Sequence, residues 1–126
     1  MKIILYIILI LILNFSVSYS AEFKFQRLNQ LNEPWGSSFI NNEELIITEK
    51  TGKIKIVNIY SNKIQELNHN LNYFVHGQGG LLDIIYKNKT VWVSYTENRG
   101  GWKTSTSIAK GKFNKKKLDF ENIFQA

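Results

Sequence analysis

The residues best suited to binding chemistry lie in one run, His76-Gly77-Gln78-Gly79-Gly80-Leu81-Leu82-Asp83. Three glycines surround Gln78 at the head of an apolar strand, and glycine lets a backbone come close to a bound ligand. The primary amide of Gln78 offers two donors and an acceptor, so it can pair with a ligand hydroxyl in either sense. The run therefore predicts a ligand-binding turn. The alternative is that Gln78 satisfies backbone groups where two structural units meet.

Four other side chains could take part in chemistry, but three of them favour structural roles. His76 is a candidate general base, since histidine is the usual one at neutral pH. Trp35 could stack on a ligand, although a tryptophan that opens a strand is more often part of a core. Glu49 and Asp83 are carboxylates beside turns and strand ends, where they more often anchor hydrogen bonds. With two histidines and no cysteine, the sequence has no metal-ligand spacing, so no metal ligand is predicted.

Composition limits the class of partner. The chain has 126 residues, a formal net charge of +6 and no cysteine, so its fold relies on a core, a bound ion or a cofactor and not on disulfides. The positive charges are mostly interleaved with acids, and the one dense run is Lys115-Lys116-Lys117. A solvated hairpin tip accounts for this run better than a binding patch does. We therefore predict no nucleic-acid partner.

The N-terminus has the pattern of a secretory signal peptide. Lys2 precedes an apolar run at residues 3–13, and Ser18-Tyr19-Ser20 places small residues before a cleavage site at Ala21. The apolar run is too short to span a bilayer comfortably. We predict that residues 1–20 are cleaved and that residues 21–126 form a periplasmic or secreted domain with no membrane span. An uncleaved N-terminal anchor is the alternative.

The rest of the chain has the pattern of antiparallel β-structure. Short apolar or alternating runs are separated by polar turns, and no stretch after residue 20 has convincing helical periodicity. Lys53 and Lys55 are expected on the face of their strand opposite Ile54 and Ile56. The predicted strands cover residues 23–27, 45–48, 54–59, 81–86, 91–95, 104–113 and 118–124.

This strand pattern repeats once. The series after Trp35-Gly36 is similar to the series after Gly80-Leu81, and residues 45–48 match residues 91–94 at an offset of 46. Four-strand units of about 40–50 residues are typical of β-propeller blades, which bury their faces against neighbouring blades. The repeat therefore predicts two blades of an incomplete propeller, from a longer protein or from a gene cut short. A self-contained β-sandwich with a coincidental repeat is the alternative.

Together these segments resemble the start of the soluble pyrroloquinoline-quinone (PQQ) sugar dehydrogenases, the glucose/sorbosone dehydrogenase family. The resemblance covers nearly all of residues 31–124, with the family's motifs in the family's order. One departure is the short turn Lys87-Asn88-Lys89, where family members have a longer loop with an Asp-Phe pair. The matching pieces are Pro34-Trp35-Gly36, Leu45-Ile46-Ile47-Thr48-Glu49-Lys50, Gly52-Lys53-Ile54, Gly77-Gln78-Gly79-Gly80-Leu81-Leu82-Asp83, Val91-Trp92-Val93-Ser94-Tyr95 and residues 104–109.

The resemblance implies a specific fold and activity. The fold would be all-β, the first two blades of a six-bladed β-propeller, and the parent protein would be an exported PQQ-dependent dehydrogenase that oxidises aldose-type sugars. Gln78 would bind the sugar at the rim of the pocket, beside the quinone. Cofactor-binding residues stay unassigned, and Gly77, Gly79 and Gly80 are the nearest candidates because they permit close backbone approach.

The same resemblance limits what this chain can do by itself. PQQ and Ca²⁺ are the implied cofactors, and a sugar substrate and an electron acceptor are the implied partners. The family's general-base histidine, calcium ligands and quinone-binding arginines are expected beyond residue 126. His76 is therefore not expected to be the base, no catalytic residue is assigned here, and the chain alone is expected to be inactive. A propeller that binds carbohydrate or a partner protein without redox chemistry is the alternative.

Overall fold

The computed structural model describes residues 20–28 and 30–126, and within these ranges the chain is all-β. One sheet has the strand order β1-β2-β3-β4 with the short β8 added at β4, and the other has the order β5-β6-β7-β9. We call β1–β4 the first blade and β5, β6, β7 and β9 the second blade. The strands are β1 (Pro34–Phe39), β2 (Glu44–Glu49), β3 (Lys53–Asn58), β4 (Ile64–His69), β5 (Leu81–Lys87), β6 (Thr90–Asn98), β7 (Thr104–Lys112), β8 (Lys117–Leu118) and β9 (Phe120–Gln125).

The hairpin turns have the residues that their backbone requires. Asn88 and Lys89 both have positive φ, 51° and 59°, which is the conformation of a two-residue hairpin turn that matches the twist of its strands. This confirms the turn predicted at residues 87–89. Gly52, at φ 100°, turns β2 into β3, and the ring of Tyr73 occupies the space that a Cβ at this position would need.

The repeat is structural as well as sequential. In each blade the first strand bulges against the second, between Pro34 and Ser37 and between Leu81 and Ile84. A bulge leaves a backbone N–H without its ladder partner. The hydroxyl of Thr48 accepts this N–H from Gly36 at 3.0 Å, and the hydroxyl of Ser94 accepts the equivalent N–H from Asp83 at 3.1 Å. Thr48 and Ser94 are 46 residues apart, as the sequence offset predicted.

Thr48 also joins the two blades. Its hydroxyl donates to the carbonyl of Leu82 in β5 at 2.5 Å while it accepts from Gly36. Gly36 itself faces β5 so closely that a Cβ there would lie 2.7 Å from the Cα of Asp83. A second direct bond runs from the N–H of Leu81 to the carbonyl of Lys50 at 3.3 Å. The first strand of the second blade is therefore fixed against the first blade by backbone groups.

The core lies between the blades. It contains Ile46, Ile54, Ile56, Leu67, Leu81, Ile84, Val91, Val93, Tyr95, Ala109 and Leu118 among others. In the second blade β6 and β7 alternate between buried and less buried positions, because only the face toward the first blade is covered. In the first blade the middle strands are buried on both faces. The prediction of an all-β chain with two four-stranded blades is confirmed.

The second face of the first blade holds a buried ion pair. Lys55 Nζ lies 2.6 Å from Glu49 Oε1, and the Glu49 side chain is fully buried. Lys55 also donates to the carbonyl of Gln30, and Glu49 accepts from the N–H of Asn32 at 2.7 Å. The expectation that Lys55 lies opposite Ile54 and Ile56 is correct. That face is not solvent-exposed, however, because the segment before β1 bonds to it. The expected role of Glu49 as a hydrogen-bond anchor is confirmed.

A second carboxylate, Glu97, organises the end of the second blade. It accepts hydrogen bonds from Ser107 at 2.7 Å, Asn122 at 2.8 Å and Gln125 at 3.1 Å, and it pairs with Arg99 Nε at 2.8 Å. The Ser107 hydroxyl and, after it, the Arg99 charge hold the pKa of Glu97 below its ordinary value, against the opposing effect of burial. These bonds tie β6, β7 and β9 together.

The lysine run holds the second blade to the first. Lys115 Nζ lies 2.6 Å from Glu44 Oε1, and the Lys115 carbonyl accepts a hydrogen bond from the Gln65 amide. Lys117 begins β8, which pairs with β4 in parallel. A hairpin tip was predicted here, but only Lys115 and Lys116 lie between two strands, and these strands, β7 and β8, do not pair with each other. The run is not simply solvated, because Lys115 is engaged by the first blade.

Two sequence expectations are wrong and one lies outside the described residues. Residues 23–27 form no strand, and Phe25 is 100% exposed, because no neighbouring strand in the described ranges pairs with them. Trp35, expected in the core, is 50% exposed, since the bulge at the start of β1 takes it out of regular register. The predicted signal peptide falls on residues 1–19, which are not described, and on Ser20. The strand β4 is the fourth strand that the repeat predicts for the first blade, and its bounds are not evident from the sequence, since only Leu67 among its residues is buried.

The Thr48 hydroxyl gives the first testable prediction. We expect Thr48→Val to lower the free energy of unfolding by about 1–3 kcal/mol, since two buried backbone groups lose their partner. Thr51→Val is the matched control, because the Thr51 hydroxyl is buried without a hydrogen-bond partner among the described residues. Urea unfolding of both variants measures the difference. Equal losses in the two variants would contradict the assigned role.

The buried ion pair gives the second prediction. We expect Lys55→Met to lower the free energy of unfolding by about 3–5 kcal/mol, because it leaves the buried Glu49 carboxylate without its cation. The double variant Lys55→Met/Glu49→Leu should lose less than Lys55→Met alone. As a control, Lys110→Met removes the exposed pair with Glu121 and should change stability very little. A double variant less stable than Lys55→Met would refute the pairing argument.

The Glu97 network predicts a pH dependence. The pKa of Glu97 is lower in the folded chain than its ordinary value of 4.5. The carboxylate therefore stabilises the fold fully above that ordinary value, and the stabilisation is lost as pH falls through the lowered folded value. We expect Glu97→Gln to flatten the acid limb of stability against pH and to leave its alkaline limb unchanged. Chemical denaturation from about pH 3 to about pH 10 measures both limbs. An unaltered acid limb in Glu97→Gln would show that other titratable groups cause the loss of stability at low pH.

Candidate functional site

A cleft of about 570 Å³ opens at one end of the second blade. It lies at the ends of β6 and β7 and includes residues of the turn that leads into β5. Thr96 and Thr106 face it from the side of the sheet opposite Tyr95 and Ser107, which point toward the first blade. Its lining combines aromatic, amide and hydroxyl groups: Phe74, His76, Gln78, Thr96, Trp102 and Thr106.

Backbone bonds fix the segment that carries the predicted turn. The N–H of Phe74 donates to the carbonyl of Thr96 at 2.9 Å, and the N–H of Thr96 donates to the carbonyl of Gly80 at 2.8 Å. Between these points the N–H of Gly79 donates to the carbonyl of His76 at 2.7 Å, which closes the turn. The segment between Phe74 and Gly80 is therefore held to β6 at both ends.

The three glycines of this turn are under different structural constraints. Gly80 has φ 148°, and a Cβ there would overlap the carbonyl of Lys50 in the first blade. Gly77 has φ 54° and open space where a Cβ would stand, so the turn conformation is its only constraint. A Cβ on Gly79 would lie 3.1 Å from the Thr96 hydroxyl. The close backbone approach predicted for these glycines occurs at Gly80, and it is to the first blade. Their part in cofactor binding stays a prediction.

Gln78 is exposed at the cleft. Its side chain makes no hydrogen bond to any other described residue, so it satisfies no backbone group between these two blades. Both amide donors and the acceptor are free for a ligand. Its predicted role as a sugar-binding residue stays a prediction.

An aromatic group that the sequence did not predict lies beside Gln78. The rings of Phe74 and Trp102 are 5.7 Å apart and nearly perpendicular, at 77°, and His76 lies 6.4 Å from Trp102 at 86°. Trp102 comes from the loop between β6 and β7, so it is distant from the glycine run in sequence. The only signal was the pair Gly100-Gly101 directly before a tryptophan, which marks a tight loop that exposes a large side chain.

The two histidines have different places in the fold. His69 Nδ1 accepts from the N–H of Leu71 at 3.3 Å, so its Nε2 carries the proton and donates to the carbonyl of Gly52 at 2.8 Å. Its ring also packs on Tyr73, which makes His69 structural. His76 instead lies in the cleft, exposed beside Trp102.

Asp83 is a local anchor. Its Oδ1 accepts from the N–H of Ile84 at 2.9 Å, inside the bulge of β5. This confirms the expected role of Asp83 as a hydrogen-bond anchor. It does not line the cleft.

A second depression lies at the opposite ends of the strands. It has a volume of about 680 Å³ and is lined by residues that include Asn88, Lys110, Asp119 and Glu121. Lys110 already pairs with Glu121, and Asp119 with Lys117. Its lining also includes Lys89 and Lys112, so lysines outnumber carboxylates there, whereas the lining of the first cleft contains no lysine, arginine or carboxylate.

Residues 20–28 and 30–126 contain no group of three or more histidine, aspartate or glutamate side chains that could hold a metal ion. In the same residues there is no helix with the length and apolar character needed to cross a membrane.

Comparison with known proteins agrees with the resemblance found in the motifs. The family profile Glucose / Sorbosone dehydrogenase matches residues 31–126. The aldose sugar dehydrogenase of Escherichia coli (strain K12) is 26% identical over 106 residues, which covers 77% of this chain and 29% of that protein.

Solved structures give the same relationship. The soluble aldose sugar dehydrogenase of Escherichia coli in the apo form superposes with a TM-score of 0.68 at 26% identity, over 75% of this chain and 30% of that one. A glucose dehydrogenase superposes with a TM-score of 0.70 at 26% identity, over 75% and 32%. The PQQ-bound aldose sugar dehydrogenase of Streptomyces coelicolor has the same fold, with a TM-score of 0.68 at 19% identity, over 77% and 31%.

This chain spans about a third of the length of the relatives it matches. Within that span, the incomplete-propeller fold and the ordered motifs, from Pro34-Trp35-Gly36 to the strand segment at residues 104–109, agree with the family profile. The chain belongs to the glucose/sorbosone dehydrogenase family.

Proposed function

We propose that the protein is an exported, PQQ-dependent dehydrogenase that oxidises aldose-type sugars, and that this chain supplies part of its sugar pocket. The observation that carries the proposal is the amide of Gln78, which makes no hydrogen bond to other described residues, in a cleft whose other polar side chains are hydroxyls, the His76 imidazole and the Trp102 indole. An amide can donate to one hydroxyl of a sugar and accept from the next. Family membership supplies the reaction class, since the relatives are named as aldose sugar and glucose dehydrogenases.

The cleft residues suit a sugar better than they suit the quinone. PQQ carries three carboxylates, which cations would have to pair with. The described lining of the cleft contains no arginine or lysine, and Arg99 nearby is engaged by Glu97. We therefore assign Gln78 to the sugar. Residues that hold PQQ and Ca²⁺ are expected outside this chain, as are the general base and the contacts to the electron acceptor.

The exposed face of the second blade supports a longer propeller. Ile85 is 54% exposed and Phe124 is 52% exposed, and both belong to the face turned away from the first blade. A blade normally buries such side chains against its next neighbour. The proposal therefore concerns the protein at its natural length, with residues 1–20 removed on export.

Replacement of Gln78 tests the proposal. We expect Gln78→Ala to lower kcat/KM for D-glucose by about tenfold to a hundredfold, because the sugar loses one or two hydrogen bonds. The rate is measured as dye reduction by the natural-length protein reconstituted with PQQ and Ca²⁺. The melting temperature should not change, since Gln78 makes no bond to other described residues.

Asn42→Ala is the matched control, because it removes an exposed amide from the turn between β1 and β2 whose side chain makes no hydrogen bond to other described residues. It should leave kcat/KM unchanged. An unchanged kcat/KM in Gln78→Ala would contradict the assignment of Gln78. Sugar binding without any PQQ-dependent dye reduction would favour a non-catalytic carbohydrate-binding propeller instead.

A further inference from the structure

We propose that Trp102 is a carbohydrate-stacking residue. Its indole, with Phe74 and His76, forms an aromatic platform for the apolar C–H face of a sugar ring whose hydroxyls pair with Gln78. This inference rests on the proposed function and adds to it the residue that receives the ring. Phe74, His76 and Trp102 are called the aromatic platform below.

The backbone of Trp102 has an unfavourable conformation. Trp102 has φ 65°, following Gly100 at 78° and Gly101 at 56°. A bulky residue rarely adopts positive φ, and such strain concentrates at functional sites. The indole is also 83% exposed among the described residues, so contacts with them do not offset the strain. Glycine or asparagine would suit this position better if the loop served only to connect β6 and β7.

The loop is nevertheless well anchored. The N–H of Arg99 donates to the carbonyl of Lys103 at 2.9 Å, and the N–H of Lys103 donates to the carbonyl of Gly100 at 3.0 Å. At the base of the loop Arg99 Nε lies 2.8 Å from the Glu97 carboxylate. Trp102 is therefore presented by a preorganised hairpin, and preorganisation reduces the entropy lost when a ligand binds.

The surroundings of Trp102 identify the class of ligand. The indole and the Phe74 ring meet at nearly a right angle, 5.7 Å apart, and so form a corner. Gln78 and the hydroxyls of Thr96 and Thr106 line the same cleft. An apolar wall with a few convergent polar groups is typical of a small-molecule site. A pyranose has both a C–H face and a rim of hydroxyls, so it matches this lining.

Other ligand classes match less well. A purely apolar molecule would leave Gln78 and the threonine hydroxyls unpaired, which costs affinity. An anion would need a cation in the cleft, but the lining contains no arginine or lysine: Lys103, which follows Trp102, does not line it, and Arg99 is held by Glu97. The aromatic platform is thus best suited to a neutral polyhydroxylated ring.

Two substitutions of Trp102 test the inference. Trp102→Asn removes the ring but keeps a residue that tolerates positive φ. We expect it to raise the Kd for an aldose about tenfold with no loss of melting temperature. Trp102→Phe keeps an aromatic face and should stay within about threefold of wild type. Calorimetric titration of the natural-length protein with D-glucose, D-galactose and D-xylose, without an electron acceptor, measures the Kd values.

Tyr60→Asn is the control, since Tyr60 is an exposed aromatic residue on a turn of the first blade. Its Kd values should equal those of wild type. A second readout is the shielding of indole fluorescence from acrylamide by bound sugar, which Trp102→Asn should abolish.

The outcomes separate this inference from the proposed function. If Trp102→Asn binds all three sugars like wild type while Gln78→Ala binds them weakly, the stacking role is refuted and the sugar pocket stands. If wild type binds none of the three sugars, both proposals are overturned. A raised Kd in Trp102→Asn, with Trp102→Phe near wild type, establishes the aromatic platform.

Discussion

The hydroxyl of Thr48 is the interaction on which the arrangement of the blades depends. It accepts the N–H that the β1 bulge leaves free on Gly36, and it donates to the carbonyl of Leu82 in the other blade. Gly36 lets the strands come this close, since a Cβ there would meet the Asp83 backbone. One buried side chain thus satisfies two backbone groups that apolar packing alone would leave unpaired. The position of β5, and with it the turn at residues 76–80, follows from that contact.

The two blades stabilise a buried carboxylate in different ways. In the first blade, covered on both faces, Glu49 is fully buried and takes Lys55 as its partner. In the second blade Glu97 lies at a sheet end, where hydroxyl, amide and guanidinium groups surround it. The first arrangement keeps the segment before β1 against the sheet. The second fixes the hairpin that presents Trp102, so a stabilising network also positions a candidate ligand-binding residue.

The candidate site is built from loops on a rigid support. Backbone bonds from Phe74 and to Gly80 hold the turn that carries Gln78, and the Arg99–Glu97 pair holds the loop that carries Trp102. Neither loop contributes much to the core between the blades. Their side chains can therefore vary to suit a ligand without loss of core packing, as is usual for functional loops on a β scaffold.

The sequence by itself determined the fold class, the blade repeat and the place of Gln78. Alternating apolar residues, hairpin turns and an offset of 46 are local patterns, and each follows from strand geometry and turn chemistry that a chain carries with it. It did not reveal that Lys55 is buried, that Trp35 is exposed, or that residues 23–27 lack a pairing strand. Nor did it bring Trp102 beside Gln78. Those outcomes depend on which surfaces meet, and only the packing of one blade on the other decides that.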